Sequence, residues 1–216
     1  MLRLGLPPAG KSRLKVLCLG AHADDIEIGC GASILRLLGE RAASVDWIVF
    51  SGTPARAREA RRAAALFLED AAASRVVVRR FRDGFFPADF RRIKEEFEKL
   101  KRTVSPDVVF CPAREDAHQD HRTVAELVWN TFRDHFVLEY EIPKYDGDLG
   151  RPGFFFPVSE EICRRKIDYL RRAFRSQATR RWFREDTFWS ILRLRGIESN
   201  SPTGFAEGFV CRKAIV

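Results

Sequence analysis

The chain has no Cys-x-x-Cys pair, no internal repeat, no low-complexity tract and no apolar run long enough to cross a membrane. Each absence removes a class of protein. The five cysteines (Cys18, Cys30, Cys111, Cys163, Cys211) are spaced for neither a zinc knuckle nor a redox pair. Several sit inside apolar runs, where a free thiol behaves as a small buried hydrophobe. Their odd number, with no apolar stretch between Met1 and Ser12 to serve as a secretion signal, predicts a reducing, cytoplasmic setting and no membrane span. Histidine is scarce as well. Three of the four, His22, His118 and His121, fall in two short loops.

What is present suits a packed enzyme-sized globule. The 216 residues are 45% hydrophobic and 12% aromatic, enough to bury a core without staples. The formal charge of +8 comes mostly from arginines interleaved with Glu and Asp along helical stretches. That pattern describes a solvated face better than a nucleic-acid groove, so no nucleic-acid partner is expected, while an acidic small substrate is compatible.

Apolar runs alternate with amphipathic ones. Leu14 to Gly20, Val45 to Phe50, Arg75 to Val78 and Pro106 to Pro112 read as strands. Helical spacing runs from Gly29 to about Glu40, Arg56 to about Ala71, about Pro87 to Arg102, and Thr123 to about Asp134. Phe136 to Tyr140 is a further strand, Glu160 to Arg175 a helix, and Gly204 to Val216 carries a last strand. Pro143 to Pro157, rich in proline and glycine, reads as a long excursion, and its Phe154-Phe155-Phe156 run as packing or a subunit contact. Alternating strand and helix predicts an α/β fold: a mostly parallel sheet with helices on both faces.

Two strand-end loops carry the chemistry. Ala21-His22-Ala23-Asp24-Asp25 follows the first strand, and Asp116-Ala117-His118-Gln119-Asp120-His121 follows the fourth. Right-handed crossovers bring these ends to one edge. His22, Asp25 and His121 then form a set of two imidazoles and one carboxylate with a fourth position open, the pattern of a catalytic zinc site, although other divalent ions accept it. Such an ion lowers the pKa of a bound water from about 15.7 towards 7. Asp24 is placed to take that proton, and His118 to donate to an oxyanion or leaving group. Asp120 is expected to hold the His118 ring in its protonated form. Each loop alone has a plainer explanation, since Asp-Asp and His-x-x-His both occur as helix caps. Their coincidence at two strand ends favours the site.

With those residues in view, the chain resembles the PIG-L/LmbE-like metal-dependent N-deacetylases. It carries their Ala-His-x-Asp-Asp loop, the Gly29-Cys30-Gly31 helix entry and His118-Gln119-Asp120-His121. Arg56-Ala57-Arg58-Glu59, Phe81-Arg82-Asp83-Gly84, Lys166 to Ser176-Gln177, and Ala206-Glu207-Gly208-Phe209 match later motifs. The resemblance implies a Rossmann-like three-layer sandwich within one domain spanning 1–216. An α/β core fills about 1–135, and a substrate-shaping part about 136–216. It also implies zinc on His22, Asp25 and His121, Asp24 as base, His118 helped by Asp120, and Arg56 near the base or substrate. The implied reaction removes an N-acetyl group from an N-acetylglucosamine-like sugar or conjugate, and members are often homo-oligomers. The chain departs from the family at Ala23, where a proline is usual, and at Asp116, where thiol-cofactor-pathway members carry a tyrosine. A metal-dependent phosphoesterase for nucleotides or nucleic acid, and a non-catalytic Rossmann-like binding protein, are the competing readings.

Overall fold

The computed structural model describes residues 13–215. Five parallel strands form its spine: β1 (Leu14–Gly20), β2 (Ala43–Ser51), β3 (Ala73–Phe81), β4 (Val108–Pro112) and β5 (Phe136–Tyr140). Four helices connect them in turn: α1 (Asp25–Glu40), α2 (Pro54–Phe67), α3 (Phe90–Thr103) and α4 (Gln119–Thr131). Beyond β5 come β6 (Phe154–Pro157), α5 (Glu160–Ala173), a 3-10 turn (Arg175–Gln177), α6 (Glu185–Glu198) and β7 (Ala206–Cys211). The sheet order is β3-β2-β1-β4-β5-β7-β6, with β7 antiparallel to both neighbours. The expected α/β class and mostly parallel sheet are therefore present.

The central strands β1 and β4 are largely apolar because both their faces are covered, whereas the edge strand β3 is mostly exposed and carries Arg75, Arg79 and Arg80. Along β1, Val16 and Cys18 join the core under α1, α2 and α5, whereas Leu17 and Leu19 join the core under α3 and α4. Val108 and Phe110 of β4 divide from Val109 and Cys111 in the same way. The chain runs outward from β1 through β2 to β3, then returns to place β4 on the other side of β1. The loops leaving β1 and β4 consequently diverge, and the crevice between them is where open α/β sheets bind ligands.

Several boundaries differ from the sequence pattern. Helix α1 begins at Asp25, four residues before the expected glycine entry, so Gly29 and Gly31 lie inside it. Close packing explains them: a Cβ at Gly29 would come within 2.2 Å of the Tyr140 ring, and one at Gly31 within 2.5 Å of Phe67. Helix α4 likewise starts earlier than Thr123, because the His118 side chain caps it by accepting from Asp120 N. The Pro143–Pro157 excursion contains β6, whose Phe156 ring packs on Phe110 and Phe209 and whose Phe154 packs on Phe136. Helix α6 has no clean apolar stripe: Phe188 and Leu192 are buried, but Leu194 and Ile197 are exposed. No helix among the described residues is long and apolar enough to cross a membrane.

Candidate metal centre

The β1–α1 loop and the start of α4 meet in the crevice. His22 Nδ1 lies 3.1 Å from His121 Nε2 and 3.6 Å from Asp25 Oδ2, and His121 Nε2 lies 3.3 Å from the same Asp25 oxygen. Four ligands at zinc–nitrogen and zinc–oxygen distances of about 2.0–2.1 Å stand roughly 3.3 Å apart at tetrahedral angles. The three atoms match that spacing, so the donor set fits a small divalent ion.

Both imidazoles are turned toward this point by carboxylates on their other nitrogens. His121 Nδ1 donates to Asp116 Oδ2 at 2.8 Å, and that oxygen also accepts from Lys144 Nζ at 3.0 Å. His22 Nε2 faces Asp120 Oδ2 at 3.1 Å and Asp83 Oδ1 at 3.0 Å. Asp120 is itself fixed by the Gly84 and Phe86 amides, at 2.6 and 3.0 Å. Carboxylates in this relation settle the tautomer of a metal-binding histidine and raise its basicity. Two alternative groupings, His22, His118 and His121, and His22, Asp83, His118 and Asp120, also offer ligand atoms within 4.8 Å of one another. Asp83 and Asp120 face His22 Nε2, and Asp120 also accepts two backbone amides, while Asp25 Oδ2 accepts the His22 amide at 2.8 Å. What marks the Nδ1 side is the 3.1–3.6 Å spacing of its three atoms.

Asp120 therefore differs from the sequence expectation. Its carboxylate orients His22, and only its backbone amide touches His118, at 3.2 Å from Nδ1. Burial, with His121 and His22 nearby, pushes the His118 pKa down, which favours the neutral ring over the protonated form expected from the sequence. Because Nδ1 accepts a backbone N–H, the proton of the neutral ring sits on Nε2. Its centroid is 4.8 Å from those of both His22 and His121.

A profile of the PIG-L family, described as GlcNAc-PI de-N-acetylase, matches residues 17–132, more than half the chain and both loops of this centre. The chain belongs to the PIG-L family. Among solved structures it is similar to the N,N'-diacetylchitobiose deacetylase of Pyrococcus horikoshii, at 20% identity and TM-score 0.74 over 96% of this chain and 86% of that one. It is also similar to the A40926 pseudoaglycone deacetylase, at 17% identity and TM-score 0.67 over 94% of this chain and all of the other. The 4-carboxy-2-hydroxymuconate hydratase of Pseudomonas putida KT2440 shares the fold too, at 18% identity and TM-score 0.69 over 94% of this chain and 98% of that one. At these identities the likeness is one of fold, and a fold shared by deacetylases and a hydratase does not choose a reaction.

In this PIG-L chain the remaining named residues surround the three-atom set. Asp24 is nearly buried and left-handed, at φ 111° and ψ −20°, and occupies the N-cap of α1 without a side-chain capping bond. For a non-glycine residue that conformation stores roughly 1–3 kcal/mol. Its carboxylate turns instead to Arg56, with Oδ2 2.7 Å from Nη2. Burial, aided by the Asp25 charge, raises its pKa to about 6 against the pull of Arg56. Asp25 goes the other way: burial would raise it, but His121 and His22 hold it well below the usual range. Burial likewise opposes the imidazolium of His121, yet Asp25 and Asp116 lift its pKa to about 9.

Arg56 is occupied by the protein itself. Beyond Asp24 it donates to the Ala23 carbonyl, to Glu59 Oε2 at 2.8 Å and to Ser176 Oγ at 3.4 Å, and its guanidinium lies over Phe174. Glu59 in turn accepts from Ser176 N and Oγ at 2.9 and 2.7 Å. The Arg-x-x-Glu and Ser-Gln motifs thus meet beside Asp24. Sequence reasoning noted Asp83 only within a turn motif and Asp116 only as part of its loop and as a departure from the family, and did not single out Lys144; their positions in loops carry no distinctive spacing. His135, between α4 and β5, lies at the opposite end of the strands.

A cavity of about 340 Å³ borders the centre without opening onto its ligand atoms. Asp116 and Lys144 line it together with Glu139, Arg151 and Arg212.

Proposed function

We propose that the protein is a zinc-dependent N-deacetylase that hydrolyses the acetamide of an N-acetylglucosamine-like sugar or sugar conjugate. The observation that supports it most is the convergence of His22 Nδ1, Asp25 Oδ2 and His121 Nε2 at 3.1–3.6 Å, with an acid and a neutral imidazole beside them. These three residues would hold the ion, which when bound supplies Lewis-acid polarisation of the acyl oxygen and of the attacking water.

The chain's own residues supply the proton movements. Asp24, with its pKa near 6, is ionised at neutral pH and takes a proton from the attacking water as the new C–O bond forms. Nε2–H of neutral His118 donates to the acyl oxygen as negative charge develops there. Asp24 then returns its proton to the sugar nitrogen as the C–N bond breaks, leaving acetate and a free amine. Arg56 holds Asp24 in its strained position from the far side.

The test is acetate release from a panel of N-acetylglucosamine derivatives, measured before and after complete metal removal and again after zinc is restored. Activity that is abolished by chelation and recovered with zinc supports the reading. Turnover that survives full metal removal overturns it.

A further inference from the structure

Helix α1 has a built-in weak point. Its first turn carries Asp25, and Gly29 and Gly31 follow at once. Glycine is among the poorest helix formers, and two within three residues leave the turn loosely joined to the rest of the helix. The packing of Tyr140 and Phe67 demands those glycines, so a stiffer residue cannot replace them.

Two charged residues from the far part of the chain bracket this weak point. Lys166 of α5 donates to the Ile28 carbonyl at 2.6 Å, immediately before the glycines. Glu207 of β7 accepts from the Ala32 and Ser33 amides at 3.0 and 2.7 Å, immediately after them. Lys166 Nζ and Glu207 Oε1 join each other at 2.6 Å, and the two residues are only 1% and 4% exposed. A buried ion pair bonded to backbone on both sides of a glycine pair is a splint. Both residues belong to the later motifs quoted above, Lys166 to Ser176-Gln177 and Ala206-Glu207-Gly208-Phe209, and lie beyond the 17–132 match.

We propose that Lys166 and Glu207 are positioning residues: by splinting α1 across Gly29–Gly31 they keep the Asp25 carboxylate in register with His22 and His121. The second half of this statement rests on the metal-site reading above; the splint itself does not.

The test uses the full chain with both charges removed together, Lys166→Met with Glu207→Gln, because a single substitution would strand a buried charge. In the folded double variant, hydrogen exchange at the Ile28 and Gly29 amides accelerates at least about tenfold while the Leu35–Leu38 amides stay unchanged. Zinc affinity, read by chelator competition, falls by about 10–100-fold, the usual effect of losing a group that orients a ligand. Unchanged exchange at Ile28 and Gly29 overturns the splint. Faster exchange with zinc affinity within twofold of the parent overturns the link to Asp25. A parent chain that binds no zinc refutes the metal reading instead, and the exchange measurement still decides the splint.

Discussion

Replacing Asp24 with asparagine should make the protein more stable and less active, and the gain can be sized from its surroundings. Burial holds the Asp24 carboxyl at a pKa of about 6, against 3.8 in the unfolded chain. A folded-state pKa above the unfolded one means that the native state holds the proton longer. Stability therefore falls as pH rises from about 4 to about 6 and stays reduced above that. At about 1.4 kcal/mol per unit, the ionised residue costs about 3 kcal/mol at neutral pH. Asparagine cannot ionise and tolerates left-handed backbone better than most residues. Arg56 would not be stranded, because Glu59 Oε2 remains 2.8 Å away. In metal-free protein at pH 7.5 the variant should melt roughly 6–12 °C above the parent, for a chain of this size. The difference should close as pH falls to 4, while deacetylation drops by about 10²–10⁴-fold. Equal melting temperatures at pH 7.5, or a gap that does not change with pH, would refute the argument that Asp24 is held charged at the fold's expense.

Under the proposed function, zinc and protons would compete for the same atoms. With His121 raised to about 9, affinity should climb about tenfold per pH unit for each proton displaced between pH 6 and 8, measurable by calorimetry. Asp116→Ala, which frees His121 Nδ1, should cost about 10–100-fold in zinc affinity; an unchanged constant would remove Asp116 from the centre. His121→Ala should abolish both zinc binding and chelator-sensitive acetate release, and a variant with normal zinc content would count against the three-atom set. Gly29→Ala should destabilise the fold by about 1–3 kcal/mol in a urea titration, because its methyl would meet the Tyr140 ring.

The central parallel strands were legible because strands covered on both faces are largely apolar, and β1 and β5 have the limits that their side chains suggest. The exposed, Arg-rich β3, by contrast, extends beyond its Arg75–Val78 core. That the two loops share one edge was legible too, since right-handed crossovers put the ends of β1 and β4 there; that β1 and β4 are neighbours comes from the reversal of strand order after β3. What escaped was set by contacts that no local pattern records. The glycines of α1 look like a helix entry until Tyr140 and Phe67 are placed against them. Helix α6 buries Arg195, which pairs with Glu141 at 2.6 Å, so its buried face is not apolar and its period is blurred. Asp120 sits two residues from His118 in sequence, yet its carboxylate reaches ninety-eight residues back to His22. Proximity in the chain suggested the wrong ring.

The late arrival of β7 bears on how the chain is made. During synthesis the loop and helices that carry His22, Asp25 and His121 emerge well before Ala206–Cys211, and domains fold as their segments become free. Until β7 slots beside β5, that strand has an open edge and α1 lacks the carboxylate of Glu207. A nascent chain can thus hold all three proposed metal ligands while the helix bearing Asp25 is still unbraced. Maturation of the centre would wait on the last strand, and an unfinished polypeptide would make a poor scavenger of metal.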